Sequence, residues 1–314
     1  MTHQAARTTV NRLLKLVDRN FLYTRSICQS TLRGDNLNRR LNCQNKCRQC
    51  GRNSVLSEKT LLSNNSTILQ RAMSDFAGKD RDYIFRQLME YKSFTYTYIL
   101  ADPDTKEAII IDPVIEMVDR DLNIIKDLGL NLKYAVNTHV HADHVTGSGK
   151  IKENIPTCKS MISSYSKATS DIKLSDGDKI NFGSFQIEVR STPGHTNGCL
   201  TYVWHDKGMA FTGDVILVRG CGRTDFQEGS SETLYDSVHQ KIFSLPLNYR
   251  LFPAHDYTGQ TMTTVAEEKG MNPRLTKSKE QFVKLMENLN LPYPKQIDRA
   301  VPANMLCGLQ GPPT

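Results

Sequence analysis

From about Tyr83 onward, short apolar runs alternate with turns and amphipathic stretches. Phe94-Thr-Tyr-Thr-Tyr-Ile-Leu100 is β-branched and aromatic and reads as a strand. Asp102-Pro103-Asp104 reads as a turn, and Ala108–Ile111 as a buried strand ending at Asp112-Pro113. Apolar residues at 118, 122, 124, 125 and 128, closed by Gly129, predict a helix over Val118–Leu128. Tyr134–Asn137 is a further strand. Strand, helix, strand and then a functional loop is α/β grammar. Beyond residue 150 the texture changes. Short strands at Ile180–Phe182, Gln186–Arg190, Thr201–Trp204 and Met209–Thr212 alternate with Gly and Asp turns. A helix is expected over Glu232–Phe243, a strand over Arg250–Phe252, and one clear helix after Tyr257, at Glu280–Leu289. Two strand-rich halves that each carry helices predict two packed sheets with helices outside. No repeat or linker interrupts residues 83–310, so one catalytic domain, 81–314, is expected after an N-terminal segment, 1–80.

Charge is unevenly spread. Residues 1–80 hold 14 Lys and Arg against five Asp and Glu, and the rest holds 26 against 28. The basic character therefore belongs to the N-terminal segment. Base-stacking aromatics and recognisable nucleic-acid modules are missing, so no nucleic-acid partner is expected. No run reaches the about 18 apolar residues of a membrane span, so none is expected there either. In the first 40 residues Arg and Ser/Thr are frequent, only Asp18 and Asp35 are acidic, and Val10, Leu13, Leu14, Val17 and Phe21 recur at helical spacing. That is the composition of a mitochondrial transit peptide, which places the mature chain in the matrix; an ordinary basic tail is the alternative. Of the eight cysteines, Cys43, Cys47 and Cys50 form a C-x3-C-x2-C cluster. The strand–helix barrel that an iron–sulfur radical enzyme needs does not follow, and zinc would need a fourth ligand. A chance cluster is the favoured reading. Without a secretory signal, reduced thiols are expected.

The chemistry concentrates in Thr138-His139-Val-His141-Ala-Asp143-His144, where four metal-capable side chains fall within six residues just after a strand. Further donors follow, each at a strand end: His195 in Thr192-Pro-Gly-His195, Asp214 in Phe211-Thr-Gly-Asp214, and His255 in Phe252-Pro-Ala-His-Asp256. Singly, each of these is an ordinary turn; the ordered set points to a metal. His3, His205 and His239 are left as surface residues.

This order of donors resembles the metallo-β-lactamase superfamily over about residues 83–310. Within it, the stretches Ala135–Gly149, Phe211–Asp214, Arg219–Phe226, Pro253–Tyr257, Asn288–Pro292 and Ala300–Asn304 are similar to the persulfide (sulfur) dioxygenases. The resemblance implies an αβ/βα sandwich of two mixed sheets flanked by helices. It implies one Fe(II) per chain on His139, His195 and Asp214, with three positions open for the persulfide sulfur and O2. Glutathione persulfide and O2 are the implied substrates, sulfite and glutathione the products, and a homodimer the implied assembly. His141, Asp143, His144 and His255 then orient the ligands or build a second metal site, and the residues leave both open. Arg223 and Tyr257 are candidates for gripping glutathione, with an Arg223–Asp225 pair as the structural alternative. Cys221, between Gly220 and Gly222, reads as a packed cysteine. The rival activity is that of a dinuclear, glyoxalase II-like glutathione thioester hydrolase.

Overall fold

A computed structural model describes residues 82–309. The cysteine cluster and the Arg-rich stretch lie outside these residues. Among those described, two six-stranded mixed sheets face each other. The first runs in chain order: β1 (Ile84–Glu90), β2 (Thr95–Ala101), β3 (Glu107–Ile111), β4 (Asn131–Val136), β5 (Lys159–Ser163) and β6 (Ile172–Leu174). β1–β3 pair antiparallel, and β3–β6 parallel. Between β3 and β4 lies helix α1 (Val118–Asp127), and between β4 and β5 lies α2 (Ser148–Asn154). The second sheet comprises β7 (Lys179–Phe182), β8 (Phe185–Ser191), β9 (Leu200–Trp204), β10 (Met209–Gly213), β11 (Arg250–Pro253) and β12 (Thr263–Thr264), again side by side in chain order. Only β10 and β11 pair parallel there, with α3 (Ser231–Ser237) and a π-helical turn, Val238–Ile242, connecting them.

The period of two along each strand decides what each sheet face covers. Ile109 and Ile111 of β3 point between the sheets, where they meet Phe182, Tyr202, Trp204 and Phe211. Their neighbours Ala108 and Ile110 point outward onto Val118 and Ile125 of α1. The second sheet does the same with Val203, Ala210 and Leu251, which lie under Leu234, Val238 and Phe282. Both faces of each central strand are therefore covered, which is why β2 is buried along its whole length instead of alternating with solvent.

Three features depart from expectation. β1 precedes the first predicted strand; only its last residue is fully buried, so its composition gave no alternation to read. Phe94 sits at φ 57° and starts no strand. Beyond Tyr257 there are three helices among the described residues, not one: α4 (Val265–Met271), α5 (Lys279–Glu287) and α6 (Ile297–Met305). α4 is two turns long, and α6 holds Pro302 in its interior, which in a sequence reads as a helix stop. The four cysteines among the described residues, Cys158, Cys199, Cys221 and Cys307, are free and buried.

Candidate metal centre

The donors sit where strands stop. β4 runs into the His139–His144 loop, β8 into His195, β10 into Asp214 and β11 into His255. One donor atom from each of His139, His195 and Asp214 lies within 4.8 Å of the others, and a second group, His141, Asp143 and His144, meets the same limit. The rings of His139 and His141 are 4.1 Å apart and those of His139 and His195 are 4.9 Å apart, so the groups are adjacent. His255 bridges them, its Nε2 3.4 Å from Asp143 Oδ2 and 3.7 Å from Asp214 Oδ1.

Each histidine is held on its far side. His195 Nδ1–H donates to the carbonyl of Arg223 at 2.6 Å, which turns Nε2 toward Asp214 Oδ2, 3.5 Å away. The Thr138 hydroxyl donates to Asp112 Oδ2 at 2.8 Å and accepts from His139 Nδ1–H at 3.0 Å. His141 Nε2–H donates to Asp112 Oδ1 at 3.0 Å, and the backbone N–H of Thr138 donates to the same oxygen at 2.7 Å. Asp112 thus fixes two imidazoles, one directly and one through Thr138. Asp112 has φ 49°, a left-handed conformation that Asp tolerates better than most side chains. Its role was not legible: in the sequence Asp112-Pro113 is only a strand end. His144 Nδ1 lies 3.0 Å from Asp143 Oδ2 and 3.2 Å from the hydroxyl of Thr95, a residue that sequence reasoning also passed over.

Two glycines permit this packing. Gly194, at φ 138°, lies where a Cβ would sit 2.3 Å from Leu234 Cα. A Cβ on Gly222 would be 2.6 Å from the carbonyl oxygen of Asp214 and 2.8 Å from His195 Nδ1.

The protonation states suit a cation. Burial, then the neighbouring imidazole charge of His141, pushes His139 well below the ordinary histidine range; burial and His144 do the same to His141. Burial opposes ionisation of Asp143, but His255 and His144 override it and hold the carboxyl well below its usual range. Asp214 is lowered too, because His255 and His195 outweigh its burial. Burial raises Asp112. Burial also works against a charge on His255, yet Asp143 and Asp214 raise it to about 9. Neutral His139 and His141 beside ionised Asp143 and Asp214 are the forms that ligate metal. Asp214 Oδ1, His141 Nδ1 and His144 Nε2 are buried without a hydrogen-bond partner among the described residues. Unpaired buried polar atoms are costly, and a cation in their midst removes that cost. The donor set therefore fits a metal ion.

Arg223 and Tyr257 lie on the loops after Asp214 and His255. The Arg223 guanidinium forks onto Asp225 at 2.6 and 2.7 Å, donates to Pro292 O at 2.8 Å and lies 4.6 Å from the Phe226 ring centre. Its charge is thus engaged within the chain. Tyr257 is 64% exposed, stacks on His255 at 6.1 Å and meets the Phe94 ring edge-on at 5.6 Å. Cys221 is packed against Met286 and Arg274, and burial raises its thiol to about 11. His205 is exposed, pairs with Glu188 at 3.0 Å and belongs to neither donor group.

A two-sheet sandwich with His and Asp donors gathered at strand ends defines a metal-dependent enzyme of the metallo-β-lactamase class. The family described as the metallo-beta-lactamase superfamily matches residues 91–255. The chain is 57% identical over 247 residues to "Persulfide dioxygenase ETHE1, mitochondrial" of Bos taurus, covering 79% of this chain and 97% of the relative. It is 56% identical over 245 residues to the Homo sapiens protein of the same name, covering 78% and 96%. The crystal structure of ETHE1 from Myxococcus xanthus is 47% identical, with a TM-score of 0.70, and the match covers 72% of this chain and all of that one. The chain belongs to the persulfide dioxygenase family of the metallo-β-lactamase superfamily.

Proposed function

We propose that this protein oxidises glutathione persulfide with O2 and water to sulfite and glutathione, at a single Fe(II) held by His139, His195 and Asp214. The observation that carries this reading is the first triad: two imidazoles and one carboxylate within 4.8 Å of one another, the set used by non-haem iron oxygenases. Bound there, Fe(II) would leave one face open to the persulfide sulfur and to O2 and would supply the electrons that activate O2. The remaining work falls to the chain. Arg223 O and Thr138 Oγ1 hold His195 and His139 each in one tautomer, with the Nε2 lone pair facing inward. His255 Nε2 lies against both Asp143 Oδ2 and Asp214 Oδ1 and helps keep the two carboxylates aimed. The atoms balance: the outer sulfur gains three oxygens, two from O2 and one from water, and the inner sulfur leaves as the thiol of glutathione.

Tyr257 and Arg223 are assigned to the substrate mouth. For Tyr257 the support is its exposure directly over His255. For Arg223 it is narrower, because a glutathione carboxylate would have to displace Asp225. The Arg-rich, amphipathic composition of the first 40 residues supports import into the mitochondrial matrix, with residues 1–80 as the N-terminal segment and 81–314 as the catalytic domain. A homodimer is the proposed assembly, and light scattering of the purified protein tests it. The reading as a whole is tested with an oxygen electrode and sulfite assay on anaerobically iron-loaded protein given glutathione persulfide. O2 uptake matched by sulfite supports it, and thioester hydrolysis without O2 uptake overturns it.

The second triad favours one competing reading. His141, Asp143 and His144 are also within 4.8 Å, with His141 Nδ1 and His144 Nε2 unpartnered, which suits a second ion and a dinuclear hydrolase. Two tightly bound ions per chain would favour it, and one favours the dioxygenase.

A further inference from the structure

The loop that carries three of the histidines, residues 137–147, has almost no regular structure, yet most of it is buried. Its backbone carbonyls therefore need partners from elsewhere in the chain. Gln227 Nε2 donates to Val140 O at 2.8 Å. Tyr202 Oη–H donates to Asn137 O, and the backbone N–H groups of Leu200 and Ile115 donate to Thr138 O and Val145 O. One side chain on α6 serves the two histidine carbonyls of the turn. Asn304 Nδ2 donates to His141 O and to His144 O, both at 2.8 Å, and Asn304 Oδ1 accepts the backbone N–H of Thr146 at 2.8 Å. Asn304 is 4% exposed, and both of its N–H donors are used.

We infer that Asn304 is a positioning residue of the metal centre, acting through the backbone of His141 and His144. Its three bonds span the turn from residue 141 to residue 146 and so fix the distance between the two histidines. Only a carboxamide offers two donors and an acceptor at this size; Asp lacks the donors and Leu lacks all three. The geometry is independent of the identity of the metal, although the catalytic consequence rests on the function proposed above. α6 thereby carries a metal-site element some 160 residues along the chain from the loop it shapes.

The test is a Co(II) titration of the metal-stripped full chain, read by the visible ligand-field bands. Asn304→Leu is expected to bind Co(II) several-fold more weakly, with altered bands in the loaded protein, because the turn whose His141 ring lies against His139 loses the bonds that hold its backbone. Ile125→Val is the control. It trims α1 where it packs on Ala108 and Ile110 outside the first sheet, and is expected to lower the melting temperature while leaving Co(II) affinity within about twofold. Wild-type affinity and bands in folded Asn304→Leu would overturn the inference. If that variant does not fold, Asn304→Asp, which keeps the acceptor for Thr146 and loses both donors, decides by the same titration. If neither folds, hydrogen exchange of the Asn304 side-chain amide in wild-type protein decides: slowing on Zn(II) loading supports the inference, and no change overturns it. None of these readouts needs turnover. Iron-loaded wild-type protein that fails to consume O2 would sink the dioxygenase reading and leave this one standing.

Discussion

His195 reaches Arg223 through the backbone: its Nδ1–H meets the Arg223 carbonyl at 2.6 Å, while the guanidinium of the same residue forks onto Asp225. One residue thus fixes an imidazole with its main chain and its own loop with its side chain. An exposed ion pair contributes only about 1 kcal/mol to stability, so the consequence should appear at the metal and not in the melt. Asp225→Asn and Arg223→Lys, which cannot reproduce the fork, are each expected to weaken metal binding several-fold with little change in melting temperature. Metal titration and calorimetry check this. A lower KM for glutathione persulfide in Asp225→Asn would support the substrate role proposed for Arg223, with the guanidinium released from Asp225.

Asp112 gives a sharper prediction. Asn at this position tolerates the same left-handed backbone, so Asp112→Asn isolates the loss of the carboxylate. The amide cannot accept from both Thr138 and His141 through two equivalent oxygens. Metal affinity is expected to fall roughly 10- to 100-fold, as for other residues that orient ligating histidines. Elemental analysis after dialysis against a weak chelator measures it, and full retention of metal would contradict it.

The scaffold predicts a pH dependence of its own. Asp102, 1% exposed, accepts the N–H of Asp104 at 2.8 Å and of Ser184 at 2.7 Å, joining the β2–β3 turn to the β7–β8 turn. Burial alone would raise its carboxyl, but the Ser184 and Asp104 N–H groups outweigh it and hold it at about 2. A carboxyl lowered by folding stabilises the fold above its unfolded value, near 4, and loses that contribution as pH falls toward 2. The contribution is about 2 kcal/mol. Urea melts of wild type and Asp102→Asn from pH 7 to pH 2 should therefore converge in acid. A constant difference across that range would contradict the assignment.

Much of this was legible because the donors are chemically conspicuous residues at strand ends, and a buried strand is readable from its apolar run. The supporting residues were not. Asp112 looks like half of a turn, Thr95 like any strand threonine, and Asn304 sits in a helix whose Pro302 argues against a helix. Each matters through a partner distant in the chain, 26 residues from Asp112 to Thr138 and 160 from Asn304 to His144. Periodicity carries no such information. Arg223 lies between these cases: the sequence offered both a carboxylate clamp and a pair with Asp225, and the coordinates show the pair formed.

Tyr257 stacks almost parallel to His255, at 6°, and remains largely exposed. Tyr257→Ala is expected to raise KM for glutathione persulfide severalfold and to change kcat less, because the ring touches no residue of the first triad in the contacts above. Tyr257→Phe keeps the stack and separates ring from hydroxyl. Steady-state O2 uptake across a persulfide titration checks both, and an unchanged KM in Tyr257→Ala would remove the residue from the substrate mouth.

The central claim is that His139, His195 and Asp214 share one iron ion that is the engine of persulfide oxidation. Its most direct measurement is iron content together with O2 uptake in anaerobically reconstituted wild type and Asp214→Ala. The account predicts one iron per chain and persulfide-dependent O2 uptake in the wild type, and loss of both in the variant. Undiminished uptake by Asp214→Ala, or a wild type that holds two ions and consumes no O2, would contradict it.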